Sequence, residues 1–150
     1  MVRHIHKLCG NRPDTDNWFP TPKDIVDKMV ANYGYALNGK SVHCLADDYQ
    51  TSYFYLILKT KFKELGLAKL YATKYVENGK GIQACYDGVD EVVKTLDDDG
   101  SLFNECSKAT TAECDVIFTN PPFKGLHKMC REVLHDKQYV IITPYVCLPC

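Results

Sequence analysis

Asp115-Val116-Ile117-Phe118-Thr119-Asn120-Pro121-Pro122-Phe123 is the stretch whose reading decides the fold. Val116 to Phe118 is short and wholly apolar, as expected of a strand buried on both faces of a parallel sheet. The two prolines remove two backbone donors and fix φ, so the strand must stop there. Asn120 precedes a proline and is pushed out of the helical region. A stiff loop thus sits at the carboxyl end of a strand, where open α/β sheets place their ligands. It holds a polar amide and an aromatic ring three residues apart.

Downstream, Leu126, Met129, Cys130, Val133 and Leu134 predict an amphipathic helix, and Tyr139 to Ile142 a further buried strand. Upstream, Ser41 to Ala46 reads as a strand ending at Asp47-Asp48. A helix from Thr51 to Leu65 follows, with Phe54, Leu58, Phe62 and Leu65 on one face and Gly66 closing it. Lys69 to Tyr75 is the next strand, and the three elements form a parallel, right-handed unit. Asp47 and Asp48 therefore stand near the ligand edge of the sheet. Two readings stay open for them: ligand contacts, or one helix cap and one solvated carboxylate.

Thr21 is a good N-cap, Pro22 suits the first helical position, and Asp24 puts negative charge in the first turn. Ile25, Val26, Met29, Val30 and Tyr33 follow at helical spacing, with Gly34 as the expected C-cap; Trp18 and Phe19 suit a hydrophobic staple. Asn78-Gly79 predicts a hairpin or loose turn between Lys69–Tyr75 and Ile82–Tyr86, and Asp87-Gly88 a second turn. Val89 to Leu96 fits a short helix or a strand equally. Asp97 to Ser101 reads as an acidic, solvated turn, and Leu102 to Cys114 as a connector with one helical segment. These elements predict an α/β fold: an open, mainly parallel sheet of at least four strands with flanking helices. The chain ends eight residues after the last strand, leaving an edge that reads as uncovered and the sheet as incomplete at its C-terminal edge.

A chain of 150 residues suits one domain. Its net charge of −1 carries no surplus of basic residues for nucleic acid, although a basic groove balanced elsewhere would not register. No apolar run approaches the roughly 20 residues of a membrane span, and the N-terminus lacks the apolar core of a signal peptide. A soluble, cytoplasmic protein without membrane partners is expected. The eight cysteines are scattered, and buried free thiols are the expectation. Cys147-Leu148-Pro149-Cys150 has C-x-x-C spacing, but only His4, His6 and Cys9 could complete a zinc site, and no metal is expected.

The opening stretch suits chemistry on a nucleobase amine. Such an amine is a poor nucleophile because its lone pair is delocalised into the ring. Two acceptors aimed at its N–H groups, a side-chain carbonyl of Asn120 and the backbone carbonyl of Pro121, can draw it toward tetrahedral geometry. Phe123 can stack on an extruded base, worth ~1–3 kcal/mol. No general base is strictly needed, because the amine grows acidic as the methyl arrives; the work is positioning and electrostatics.

At Asn120-Pro121-Pro122-Phe123 the sequence resembles the amino-methylating DNA methyltransferases, whose catalytic motif is Asp/Asn/Ser-Pro-Pro-Tyr/Phe/Trp at the end of an apolar strand. Phe19-Pro20-Thr21-Pro22 resembles the F-x-T-P motif that opens their N-terminal helix. The order of motifs is similar to adenine-N6 methyltransferases with a C-terminal recognition region. Cys44-Leu45-Ala46-Asp47-Asp48, Asp99-Gly100-Ser101 and Thr119 to Phe123 together resemble the EcoRI-type adenine-specific DNA methyltransferase family, over Trp18 to Thr143. The resemblance implies a Rossmann-like methyltransferase fold, with residues 1–16 an irregular lead-in and 17–150 the methyltransferase-like domain. It implies S-adenosylmethionine as cofactor, held by Phe19, Thr21, Pro22, Asp47, Asp48 and Asp99, and adenine-containing duplex DNA as substrate. Asn120, Pro121, Pro122 and Phe123 become the catalytic residues, in an enzyme of phage or mobile-element type.

The chain also departs from the broader pattern. Asp47 is followed by Asp48-Tyr49-Gln50-Thr51-Ser52, without the usual glycines, although the EcoRI-like group lacks them too. Lys74-Tyr75 stands where an acidic residue for the ribose is expected, with Glu77 a distant substitute. No separate DNA-recognition domain is expected, so the family likeness reads as a chain truncated after the catalytic region. Alternatives are thus a non-catalytic cofactor- or protein-binding module, or a sheet completed by a second chain or a homodimer.

Overall fold

The computed structural model describes residues 21–120, 126–133 and 137–141. Strands β1 (Ser41–Leu45), β2 (Lys69–Lys74), β3 (Ile82–Tyr86), β4 (Glu91–Thr95), β5 (Val116–Thr119) and β6 (Gln138–Ile141) form one open sheet in the order β4-β3-β2-β1-β5-β6. The pairings β1–β2, β1–β5 and β5–β6 are parallel, whereas β2–β3 and β3–β4 are antiparallel. The α/β expectation holds, but the sheet is more mixed than expected. Two tight turns cause this. Asn78 (φ 55°) and Gly88 (φ 98°) adopt the left-handed backbone that short reversals need, so β2, β3 and β4 fold back as a meander. Val89 to Leu96 resolves as strand β4, because its partner β3 pairs with Glu91 to Thr95 residue by residue.

Helix α1 (Lys23–Tyr33) runs into a 3₁₀ turn at Gly34–Leu37. Gly34 is the C-cap, as expected, its N–H donating to the Val30 carbonyl; its φ is −59° rather than left-handed, and its small size lets Leu65 pack close against it. The helix expected over residues 51–65 forms in two parts, α2 (Tyr53–Thr60) and α3 (Phe62–Leu65), broken at Lys61 and closed by Gly66 at φ 69°. The connector before β5 holds helix α4 (Glu105–Glu113), and α5 (Leu126–Glu132) leads to β6. Trp18, the lead-in, and the cysteines and histidines of the C-x-x-C question (His4, His6, Cys9, Cys147, Cys150) lie outside the described residues.

The strand period of two sorts the side chains onto two faces. On one face Val42, Cys44, Leu70, Ala72, Ala84, Val116 and Phe118 pack against Val26 and Val30 of α1 and Phe54, Tyr55 and Leu58 of α2. Phe54 and Phe118 meet edge-on with centroids 5.3 Å apart, and full burial of such a ring stabilises by about 1.5–3 kcal/mol. The other face is divided. Leu45, Ile117, Met129 and Val133 make a small apolar cluster beside α5, while His43, Thr73 and Gln83 meet Thr110 and Thr111 of α4 in a buried polar layer. Val116 to Phe118 is thus buried on both faces, as the sequence predicts. Among the described residues no helix is long and apolar enough to cross a membrane.

Candidate active site

Because β1, β2, β5 and β6 are parallel, their carboxyl ends gather at one edge of the sheet. From β1 the chain moves to β2 on one side, while β5 lies on the other, so the strand order reverses between β1 and β5. Such a reversal is the point at which open α/β sheets hold their ligands. Asp47 and Asp48 follow β1, Asn120 follows β5, and Asp99 reaches the end of β2, where its carbonyl accepts the Val76 N–H at 2.9 Å. Candidates scattered over the sequence are thus brought to one edge.

Asn120 makes the link that matters most. Its Nδ2 donates to Thr21 Oγ1 at 2.7 Å across 99 residues of chain, joining the start of α1 to the end of β5. Thr21 was expected to cap α1 and does not. Pro22 occupies the N-cap position with ψ 144°, its carbonyl accepts the N–H groups of Ile25 and Val26, and no side chain caps the helix. The proline's own carbonyl begins the helical ladder, one residue later than expected, and the Thr21 hydroxyl meets the amide instead. Phe19, Pro121, Pro122 and Phe123 lie outside the described residues.

At the tip of β1, Ala46 has φ 61°, a left-handed conformation that a side chain rarely adopts. The bend turns the Asp47 N–H toward the Thr73 carbonyl at 3.0 Å and the Asp47 carboxyl inward. Asp47 is 9% exposed. Ser52 Oγ donates to its Oδ1 at 2.8 Å, and Thr119 Oγ1, which also bonds the Leu45 carbonyl, reaches Oδ2 at 3.4 Å. Burial pushes the Asp47 carboxyl up to about 7, the two hydroxyls oppose the rise, and the charge of Asp48 adds to it. Asp48 forms an ion pair with Lys74 at 2.9 Å and accepts the Gln50 N–H. Neither aspartate caps α2 through its side chain. Lys74, standing where an acidic group was expected, draws the neighbouring acid of β1 across to it.

The acidic turn is not simply solvated. Asp98 accepts the N–H groups of Gly100 and Cys106, and these bonds hold its carboxyl below the ordinary range although burial works the other way. Asp99 Oδ1 accepts the Ser101 N–H at 2.9 Å and Asn104 Nδ2 at 2.6 Å. Gly100, at φ 77°, lies against the Lys74 carbonyl, an approach a Cβ would block. The turn is thereby pinned to the end of β2.

Sequence reasoning missed Ser52, Thr119 and the bend at Ala46. Ser52 signals only a helix start, Thr119 only a strand residue, and nothing in an alanine announces a positive φ. The acidic and hydroxyl-bearing groups at this edge suit a cofactor with a cationic centre, an amine and hydroxyls. Each carboxylate has about four acceptor positions, and Asp47 and Asp99 each use two in the bonds above.

The fold is an open α/β sheet whose strand order switches between β1 and β5, with Asp47, Asp48 and Asn120 at the carboxyl edge there. A family model described as adenine-specific methyltransferase EcoRI matches residues 9–95, more than half of the chain. Among curated proteins, the chain is 30% identical to the type II methyltransferase M.MpnI of Mycoplasma pneumoniae, over 92% of this chain and 44% of that protein. It is 27% identical to the type II methyltransferase M.EcoRI of Escherichia coli, over 93% of this chain and 48% of that protein. The chain spans just under half the length of these two relatives. No solved structure matches significantly. The chain belongs to the EcoRI-type adenine-specific methyltransferase family.

Proposed function

We propose that this chain is a DNA adenine-N6 methyltransferase that uses S-adenosylmethionine and acts on an adenine flipped out of duplex DNA. The observation that carries the reading is the Asn120–Thr21 hydrogen bond, which unites the two motifs of the family resemblance at the carboxyl edge of a Rossmann-like sheet. With Nδ2 engaged by Thr21, Oδ1 of Asn120 is the atom that would receive an N–H of the target amine. The Pro121 carbonyl would receive the other, and Phe123 would stack on the base, with Pro122 stiffening the loop. Two acceptors on one amine favour the pyramidal nitrogen and take up its growing acidity, which is electrostatic preorganisation. Phe19 and Pro22 would flank the cofactor from the start of α1, and Asp47, Asp48 and Asp99 from the strand ends. When bound, S-adenosylmethionine supplies an electrophilic methyl group. Membership of the family, and two relatives that are type II methyltransferases, support this reading.

Transfer of labelled methyl groups to adenine-containing DNA, run beside calorimetry with S-adenosylmethionine, tests it. Asn120→Ala should lower transfer by at least about 10²–10³-fold while cofactor affinity stays within twofold. Transfer retained in Asn120→Ala would sink the assignment. Cofactor binding by the native chain without any transfer would make it a cofactor-binding module.

A further inference from the structure

Resting on the reading of Asn120 as the amine acceptor, the geometry points to Thr21 as a positioning residue: its hydroxyl anchors the Asn120 carboxamide. The family resemblance gives Thr21 to the cofactor, so this is a different role. A carboxamide is nearly symmetric in shape but opposite in polarity at its two ends, and its terminal torsion is broad and two-fold. A hydroxyl can accept from one end of the group or donate to the other, so it fixes where the carboxamide stands, and in the observed arrangement it accepts Nδ2. An enzyme that depends on Oδ1 needs its carboxamide anchored.

The Thr21 hydroxyl is placed to do so. It receives Nδ2 at 2.7 Å, and both side chains are half-buried, where a hydrogen bond competes less with water. The hydroxyl is not spent on capping, because α1 begins on the Pro22 carbonyl without any side-chain cap. Both ends of the bond also stand on one rigid body. Val26 and Val30 of α1 are buried in the same apolar cluster as Val116 and Phe118 of β5, so the residues before α1 and after β5 are docked through shared packing. A side chain that acts through Asn120 should change turnover more than affinity.

Two variants and two readouts test this. Thr21→Val keeps the shape and removes the acceptor; Thr21→Ser restores it. At saturating S-adenosylmethionine, Thr21→Val should lower kcat about 10- to 100-fold, the effect expected of a small misplacement. Cofactor affinity should stay within about threefold, and Thr21→Ser should recover most of the rate. Independently of turnover, nuclear magnetic resonance of the Asn120 side-chain NH₂ without cofactor should show exchange protection in the native chain and in Thr21→Ser, lost in Thr21→Val. Weakened cofactor binding with unchanged kcat at saturation would overturn the positioning role in favour of a cofactor contact. Should the native chain transfer no methyl group, the enzymatic reading fails by itself. The resonance measurement then decides, and unaltered Asn120 protection in Thr21→Val overturns the inference.

Discussion

His43 in the middle of β1 and Asp47 just past its end are both buried, yet the same physical cause drives them in opposite directions. Burial penalises charge, so it lowers His43 to about 3 and raises Asp47 to about 7. Their settings differ as well. His43 lies mid-strand, with Nε2 2.7 Å from Thr73 Oγ1 and Nδ1 3.1 Å from Thr111 Oγ1, in a layer that Gln83 extends to Thr110. Two neutral hydroxyls, one from a strand and one from a helix, satisfy its ring, which is fully buried. Asp47 lies past the strand end, held by two hydroxyls and repelled by Asp48. The same burial thus keeps a base neutral in the sheet interior and an acid neutral at its carboxyl edge.

Removing the acid from the edge should produce the largest change in stability. Asp47 has its folded value raised above the ordinary 3.8, so its contribution is full below that pH and is lost as pH rises through about 7. His43 has its folded value lowered from 6.5, so its contribution is full above that pH and is lost as pH falls toward about 3. Between about pH 4 and 6.5 the two slopes oppose one another, and the native chain should show a nearly level profile there. Asp47→Asn should instead grow more stable up to about pH 6.5 and stay level beyond it. The two profiles should diverge by on the order of 4 kcal/mol between about pH 4 and pH 8. Urea denaturation across this range measures it, and parallel profiles would show that Asp47 ionises without penalty.

The interior layer should yield a smaller effect. His43→Leu leaves the Thr73 and Thr111 hydroxyls without their ring partner, at a cost of about 1–3 kcal/mol near pH 7. Adding Thr73→Val and Thr111→Val should recover much of the loss, because the two hydroxyls go with the ring and Gln83 keeps its bond to Thr110. A triple variant weaker than His43→Leu alone would mean that Gln83, which also reaches Thr73, depends on this layer.

These contrasts also explain what the sequence made legible. The core faces were readable because apolar residues repeat with period two in β5 and at helical spacing in Val26, Val30, Phe54 and Leu58. Asn120 and the aspartates were readable as edge residues because strand ends can be located from apolar runs and prolines. The antiparallel meander was only half legible. Asn78-Gly79 signals a turn, but Glu91 to Thr95 is exposed throughout and is a strand only because β3 pairs with it. The polar layer was not legible, since His43 sits in an apolar strand and its partners lie 30 and 68 residues away. Nor was the Thr21–Asn120 bond, because a threonine before a proline is also what a helix cap looks like.

The finest test asks how far Asp48 shapes its neighbour. Its negative charge raises Asp47, while Lys74, 2.9 Å away, offsets part of that charge. The Asp48 and Lys74 side chains are 21% and 38% exposed, so solvent screens the pair and its own contribution to stability is at most about 1 kcal/mol. Asp48→Asn should therefore barely move stability at pH 7, yet lower the pH at which Asp47 titrates, because one repulsive charge disappears. Lys74→Met should move that midpoint the other way, since Asp48 is left uncompensated. Carboxyl ¹³C resonances of Asp47 followed through pH 5 to 9 would give the midpoints. Opposite displacements would establish that Asp48 and Lys74 tune the buried acid. No displacement in either variant would mean that Asp47 is set by burial and its two hydroxyls alone, and that the ion pair only ties β1 to β2.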